Sequence, residues 1–325
     1  MMTPPQFSGK TITVVGAARS GQAAARLIDR LNGRVKISES AGENVVDPEF
    51  RRWALDRGVG FEFNGHTRDF ISKSDLLVLS PGVRIDAEPV RWAREAGVRV
   101  WSEIELGYRV CRGPIIAVTG SNGKTTVSTL IKMVIDASGR KACLCGNVGA
   151  PFTEYADDGQ YDYFVVEISS FQLETIERFQ PYIAVFLNFS QNHLDRHKDI
   201  QEYFDAKKRI CLNQDSHDFA VLNAADEWVK GLSKEIKSRV IFFNAEAGFN
   251  EGSRNPNHLA VIQAAKILGI PEAVCLNVFE SFRGVEHRLE TVRTLEGIEY
   301  INDSKATTAE AGRWALQNIH RPVVM

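Results

Sequence analysis

The sequence is short of several things at once. No apolar run approaches the roughly twenty residues that cross a bilayer, and the opening segment MMTPPQFSGK lacks the long apolar core of a secretory signal. No basic stripe is present. Lys and Arg number 39 against 41 Asp and Glu, a formal net charge of −2, which argues against general nucleic-acid binding. Cysteine is scarce and odd in number, five in 325 residues. With no export signal, free thiols in a reducing cytoplasm are expected. Cys143 and Cys145 stand close together, but no second Cys or His pair lies near, so they read as strand residues rather than a zinc site. Internal repeats and low-complexity tracts are also lacking. What is left is an ordinary globular composition, 44% hydrophobic and 25% charged, at a length that suits two or three domains.

The stretch that organises the rest is Ile115–Thr126, IIAVTGSNGKTT. Ile115–Val118 is short, apolar and rich in β-branched residues, as a buried parallel strand is. It breaks into Thr119, Gly120, Ser121, Asn122, Gly123, Lys124, Thr125 and Thr126, and a helix is expected from Val127 to about Ala137. A strand, a glycine-containing loop and a helix N-terminus together make a phosphate site, because backbone N–H groups and the helix dipole both favour an anion there. Lys124 is expected to reach the β- and γ-phosphates and the Thr125 hydroxyl to ligate Mg²⁺. The usual glycine five residues before the Gly-Lys pair is replaced by Val118. The alternative is a turn that merely contains Gly-Lys-Thr; the strand before and the helix after favour the phosphate site.

Ahead of this stretch, Lys10–Val15 reads as a strand that meets Gly16-Ala17-Ala18-Arg19-Ser20-Gly21, with a helix to about Leu31. The pattern is that of a dinucleotide fold, except that Ala18 stands where a glycine lets a pyrophosphate approach the backbone. A second strand, Arg34–Ile37, ends beside Glu39, near the place of a ribose-binding acid. A nucleotide-binding unit and a plain Rossmann-like βαβ are both compatible with these residues. Further strands are expected at Leu76–Leu79, ahead of Ser80-Pro81-Gly82-Val83, and at Val98–Val100, with Pro89–Ala96 helical between them. Gly113-Pro114 is a plausible hinge, so the first domain is set at 1–110.

The alternation continues after the phosphate loop. Strands are expected at Lys141–Cys145, Tyr163–Ile168, Ile183–Leu187, Asp218–Asn223 and Arg239–Asn244, and a helix at Asn257–Leu268. Glu167 and Asn188 stand at the carboxyl ends of their strands, where open α/β sheets hold ligands. Glu167 is expected to share Mg²⁺ with Thr125. His193 lies in the polar loop Asn188–Arg196, downstream of the phosphate loop. Lys207 sits on a basic helical face from which composition does not distinguish it. From Thr291 the texture changes to two strands, Thr291–Thr294 and Ile298–Ile301, around Leu295-Glu296-Gly297. A helix over about Ala309–Asn318 follows, and then the apolar run Pro322–Met325. The fold class is therefore α/β: a Rossmann-like domain over 1–110, a central P-loop ATPase-like parallel-sheet domain over 111–290, and a change of texture over 291–325.

The segments TGSNGKTT, GNVGAPF, EISSFQLE, NHLDRH, DAKKRI, GVEHRLE and INDSKATT occur in one order, and in that order they resemble the Mur ligases over nearly the whole chain. EISSFQLE, the SPGV segment and the short first domain favour the member that joins D-glutamate to UDP-N-acetylmuramoyl-L-alanine. The resemblance implies an ATP-dependent amide ligase of peptidoglycan precursor synthesis, working through an acyl phosphate, with two Mg²⁺ sites. It implies Lys124 at the phosphates, Thr125 and Glu167 on the first Mg²⁺, His193 on the second, and a carbamylated Lys207 in support of the metal site. Asn147 and Ser169 resemble groups that hold the muramoyl-peptide, and Arg19 and Ser20 groups at its diphosphate. Ser80, Pro81 and Gly82 fall near the nucleotide. Asn255 resembles an adenine contact, with His258 in the place of the family's second Asn. Arg288 and Asp303 resemble contacts to ATP, while Lys305 and Thr307 fall near the incoming amino acid. A cytoplasmic monomer without nucleic-acid or membrane partners is expected. The resemblance also implies that 291–325 begins a third, Rossmann-like domain; because that domain is read as incomplete, the chain alone is expected to form amide slowly. The alternatives are a sister ligase for another amino acid and a non-catalytic nucleotide-binding fragment.

Overall fold

The structure is a computed structural model that describes residues 7–191, 196–244 and 255–306, then 312, 313, 315, 316, 319 and 321–324. It contains two parallel sheets and a hairpin. The first sheet comprises β1 (Thr11–Val15), β2 (Arg34–Ser38), β3 (Gly60–Glu62), β4 (Leu76–Leu79) and β5 (Arg99–Ser102), in the order β3-β2-β1-β4-β5. The chain steps outward from β1 to β3 and then returns to lay β4 on the other side of β1. That reversal opens a crevice at the carboxyl ends of β1 and β4, the usual ligand position in such sheets. The two loops that line it are tied together: the Ser80 hydroxyl donates to the Gly16 carbonyl at 3.1 Å. The approach is close enough that a Cβ on Gly21 would come within 1.9 Å of the same oxygen, so only glycine fits.

The second sheet comprises β6 (Ile115–Thr119), β7 (Ala142–Gly146), β8 (Tyr163–Glu167), β9 (Ile183–Phe186), β10 (Phe219–Asn223) and β11 (Arg239–Phe243), ordered β11-β10-β9-β6-β8-β7. The strands read as continuous apolar runs because helices cover both faces. On one side the helices Lys124–Ala137, Pro256–Ile267 and Glu272–Ser281 bury Val127, Leu130, Leu259, Ile262 and Cys275 against β6 and β9. On the other side one cluster runs without a break from Ile12 of the first sheet and Leu27 of the helix Arg19–Arg30, through Ile104 and Leu106, to Phe152, Phe164 and Phe179.

The crossing between sheets is made by the short helix Glu103–Tyr108. Its Glu105 carboxylate accepts from the backbone N–H groups of Glu177, Arg178 and Phe179 at 2.9, 3.0 and 2.9 Å, and from Arg109 Nε at 2.5 Å. Glu103 accepts from the Thr153 N–H and hydroxyl at 2.7 and 2.8 Å. Two buried carboxylates therefore satisfy backbone donors of the second unit, which joins the two sheets by polar contacts as well as by the shared core.

The last described elements, β12 (Glu290–Leu295) and β13 (Ile298–Asn302), form an antiparallel hairpin. Its two turn residues, Glu296 and Gly297, have φ of +50° and +81°, as a two-residue hairpin requires. The expected helix over Ala309–Asn318 is described only at Gly312, Arg313, Ala315 and Leu316, which are helical. Elements that the sequence reading did not anticipate are short or weakly periodic, among them β3 and the helices Pro48–Asp56, Arg68–Ser72, Glu103–Tyr108, Phe152–Tyr155, Ser170–Leu173, Glu227–Gly231 and Glu272–Ser281. The strand expected at Val98–Val100 runs instead over Arg99–Ser102, and the phosphate-loop helix begins at Lys124, ahead of Val127. Among the described residues no helix is long and apolar enough to cross a membrane.

Candidate active site

The phosphate loop leaves the centre of the second sheet, between β9 and β8. Val118, the residue in place of the usual glycine, is fully buried within β6 and paired with Glu167 and Val185. It belongs to the strand, so no glycine is needed there. Gly123 has φ +82° and caps the helix Lys124–Ala137; a Cβ there would meet Asn257 Oδ1 at 2.7 Å. The loop is held from outside by the segment after β9. The Asn188 side chain accepts from Asn122 N at 2.8 Å and donates to Asn122 O at 3.1 Å, and Asn188 O accepts from Ser121 N at 3.0 Å. Ser121 Oγ in turn donates to Ser190 O at 3.0 Å and accepts from Ser190 N at 2.9 Å. With the Ser121 and Asn122 amides committed, the amides left for an anion are those at the start of the helix, from Gly123 to Thr126.

Two lysines converge on this loop. Lys124 Nζ curls back to the carbonyls of Gly120 and Ser121 at 3.0 and 3.2 Å, and Lys207 Nζ donates to the same Gly120 carbonyl at 2.9 Å. Lys207 is 2% exposed. Burial first, then the neighbouring Lys124 charge, drive its pKa well below the usual lysine value, against the pull of Glu167. Burial also lowers Lys124, opposed by Glu167 and reinforced by Arg288. An anion arriving between these groups relieves both costs.

Glu167, at the end of β8, is 1% exposed. Its Oε1 accepts from Asn147 Nδ2 at 2.8 Å, whereas Oε2 is buried with no hydrogen-bond partner. A buried carboxylate oxygen left without a donor fits a hard cation, and the buried Thr125 in the first turn of the helix supplies a second oxygen donor. Among the described residues no group of three or more His, Cys, Asp or Glu makes a metal cage. Mg²⁺ is commonly held by one or two protein oxygens together with phosphates and water, and Glu167 and Thr125 could supply those two.

The remaining expected residues fall in two places. At the second sheet, Ser169 caps the helix Ser170–Leu173, its N–H and hydroxyl both donating to Gln172 Oε1 at 3.0 Å. Asn255 caps Pro256–Ile267 by accepting from Asn257 N at 2.9 Å. His258 stacks on Phe279 with ring centroids 4.0 Å apart, and burial lowers its pKa. Arg288 has a buried, unpartnered Nε, and its charge reaches Lys124. Asp303 Oδ1 accepts from Leu289 N at 3.1 Å and Lys305 N donates to His287 O at 3.1 Å, so Arg288, Asp303 and Lys305 form one local unit. At the first sheet, Arg19 opens the helix Arg19–Arg30, with Ser20 next to it, and reaches Gly149 O at 3.2 Å. Glu39 accepts from Ala17 N at 2.7 Å and Ala41 N at 2.9 Å. Burial raises its pKa, but the amides outweigh it and hold the carboxyl below the usual range. The acid read as a ribose contact thus braces the Gly16 loop. His193 and Thr307 lie outside the described residues. The clamp from Asn188 and the reach of Arg196 into the Ser80–Val83 loop were not anticipated; the only signal for either was a polar residue in a strand-end loop.

Residues 118–267 match the Mur ligase middle domain. Over 97% of its length the chain is 37% identical to the UDP-N-acetylmuramoylalanine–D-glutamate ligase of Koribacter versatilis, of which it spans 76%. It is also 37% identical, over 98% of its length, to the enzyme of that name from Pelotomaculum thermopropionicum, of which it spans 77%. Among solved structures it resembles UDP-N-acetylmuramate:L-alanyl-gamma-D-glutamyl-meso-diaminopimelate ligase from Neisseria meningitides, with a TM-score of 0.59 and 18% identity over 85% of this chain and 99% of that one. It also resembles UDP-N-acetylmuramate-alanine ligase MurC from Thermotoga maritima, with a TM-score of 0.55 and 22% identity over 95% and 77% of the two chains. At those identities the structural likeness bears on the fold.

Proposed function

Because the chain belongs to the Mur ligase family, alongside the UDP-N-acetylmuramoylalanine–D-glutamate ligases, we propose that it adds D-glutamate to UDP-N-acetylmuramoyl-L-alanine at the expense of ATP, a step in peptidoglycan precursor synthesis. The observation that carries the reading is the meeting of Lys124 and Lys207 on the Gly120 carbonyl, beside the unpartnered oxygen of Glu167. Such a site takes a phosphate chain and a divalent cation together.

In the reaction, the substrate carboxylate takes the γ-phosphoryl group of ATP, and ADP leaves. The amine of D-glutamate attacks the acyl carbon, the C–O bond to phosphate breaks, and phosphate departs with that oxygen. Lys124 leaves its two loop carbonyls for the phosphates and offsets their charge during transfer. The amides from Gly123 to Thr126 bind the phosphate oxygens, while Ser121, Asn122 and Gly120 keep the loop in shape. Mg²⁺, when bound, compensates charge and orients the phosphate oxygens. Thr125 and Glu167 would hold one ion, and His193 with a carbamate on Lys207 would support a second. The depressed pKa of Lys207 suits that modification, since the neutral amine forms the N–C bond to CO₂ and releases one proton. Asn147, fixed by Glu167, and Ser169 orient the muramoyl-peptide. Arg19, Ser20, Ser80, Pro81 and Gly82 hold the UDP end at the first sheet. Asn255, Arg288 and Asp303 contact ATP, and Lys305 and Thr307 meet D-glutamate. The units then divide as 1–110 for UDP-sugar, 111–290 for ATP and 291–325 for the amino-acid side, in a cytoplasmic monomer.

The test is to incubate the protein with ATP, Mg²⁺, UDP-N-acetylmuramoyl-L-alanine and a single amino acid, and to follow product by mass spectrometry. Amide with D-glutamate alone is the expected result. Amide with a different amino acid would transfer the chain to a sister ligase.

A further inference from the structure

Arg196 follows β9 in the second unit, yet its guanidinium lies against the first. Nη1 donates to the carbonyls of Pro81 and Gly82 at 3.0 and 3.4 Å, and Nη2 donates to Val83 O at 2.8 Å. The group is held from behind by the Phe171 ring, whose centroid is 3.9 Å from the guanidinium carbon, and by Glu174 Oε2 at 3.6 Å from Nη2. Both the arginine and Glu174 are largely buried. The fork and plane of an arginine suit this double task, donating outward to carbonyls while stacking on a ring.

The loop that Arg196 grips is the one whose Ser80 hydroxyl donates to the Gly16 carbonyl across the crevice of the first sheet. The next residue, His197, contacts the second unit. Its Nε2 lies 3.0 Å from Ser170 Oγ, and its ring stacks on Phe171 at 5.4 Å between centroids. Ser170 adjoins Ser169 and opens the helix after β8. One dipeptide therefore fastens the crevice loop of one sheet to the strand-end segment of the other.

We propose that Arg196 is a positioning residue for the nucleotide-sugar substrate. It sets the Ser80–Val83 loop at the distance from Ser169 that one extended substrate, with its diphosphate in the first crevice and its carboxylate at the second, requires. The inference rests on the reading of the first sheet as the UDP-sugar site. It adds the residue that fixes the span between the two halves of that site. Asn188 and Ser121 hold the phosphate loop through hydrogen bonds that do not involve Arg196.

The test measures binding of UDP-N-acetylmuramoyl-L-alanine and of Mg²⁺–ATP separately by calorimetry, for the wild-type protein, Arg196→Lys and Arg196→Ala. Melting curves accompany each. Arg196→Lys keeps the charge and the packing stem, and so preserves the fold, but cannot supply the fork. Both variants should bind the UDP-substrate about tenfold more weakly or worse, the scale of a lost charge-assisted hydrogen bond. ATP affinity should stay within about twofold, since its site shares no partner with Arg196. Unchanged substrate affinity in both variants, or parallel loss of both ligands, would overturn the positioning role. No UDP-substrate binding by the wild-type protein would instead refute the reading of the first sheet, and the inference with it.

Discussion

Lys207 is the residue at which chemistry and stability are in tension. A buried amine beside a second lysine is unfavourable to fold, and its one hydrogen bond goes to a carbonyl that Lys124 also satisfies. Lys207→Met in CO₂-free buffer should therefore raise the melting temperature by a few degrees while abolishing ligation. The sign of the pH dependence follows from the depressed pKa. Below the folded value the amine is protonated in both states, and the wild-type protein carries the whole cost of burying that charge. Between that value and 10.5 the unfolded chain binds more protons, so wild-type stability rises with pH. The advantage of the methionine variant should shrink as pH climbs toward 10.5, which melting curves on both proteins will read. An advantage that grows with pH would contradict the burial argument. Residues of this kind differ in how legible they were. Lys124, Thr125 and Glu167 follow from a strand, a loop and a helix start. Lys207 does not, because a helix with several basic residues says nothing about which of them faces inward. Its place emerged from the family resemblance and from the contact with Gly120.

At the scale of elements, the helix Glu103–Tyr108 joins the two sheets through charges that have little solvent. Glu103 is 1% exposed, with one carboxylate oxygen on Thr153 and the other buried without a partner. Burial raises its pKa above the ordinary 4.5. The folded protein then holds the proton more tightly than the unfolded chain, and stability falls as pH rises through that window. Glu103→Gln keeps the acceptor for Thr153 and removes the charge. It should be nearly neutral at pH 4 and stabilising on the order of 1 kcal/mol at pH 8, as denaturant melts would show. A destabilised variant at pH 8 would mean that the charge itself holds the junction. Apart from β3, the strands of both sheets were readable from their apolar residues, and the hairpin from its Glu-Gly turn. The three-residue β3 and the five-residue helix Arg68–Ser72 were not, since neither is long enough to complete a periodic pattern. The carboxylate bridges of Glu103 and Glu105 were also unreadable, because their partners lie 50 to 74 positions away.

For the whole molecule, strand order decides where each sheet opens at the carboxyl ends of its strands. Alternating strands and helices announced parallel sheets, but strand order depends on which distant strands pair, and that decided where the crevices lie. The first sheet reverses between β1 and β4, and the second puts the phosphate loop at its centre. Arg19 to Gly149, Arg30 to Asp157 at 2.8 Å and Arg196 to the Pro81–Val83 carbonyls hold the two units together at several points. The central claim is that the substrate carboxylate accepts phosphate from ATP at Lys124 before the amide forms. It is tested most directly with UDP-N-acetylmuramoyl-L-alanine carrying ¹⁸O in its carboxylate. The protein is supplied at stoichiometric concentration with ATP, Mg²⁺ and D-glutamate, so that a single turnover reads out. The account predicts that the released phosphate carries one ¹⁸O and that Lys124→Ala releases none. Unlabelled phosphate, or labelled phosphate undiminished in the Lys124 variant, would contradict it.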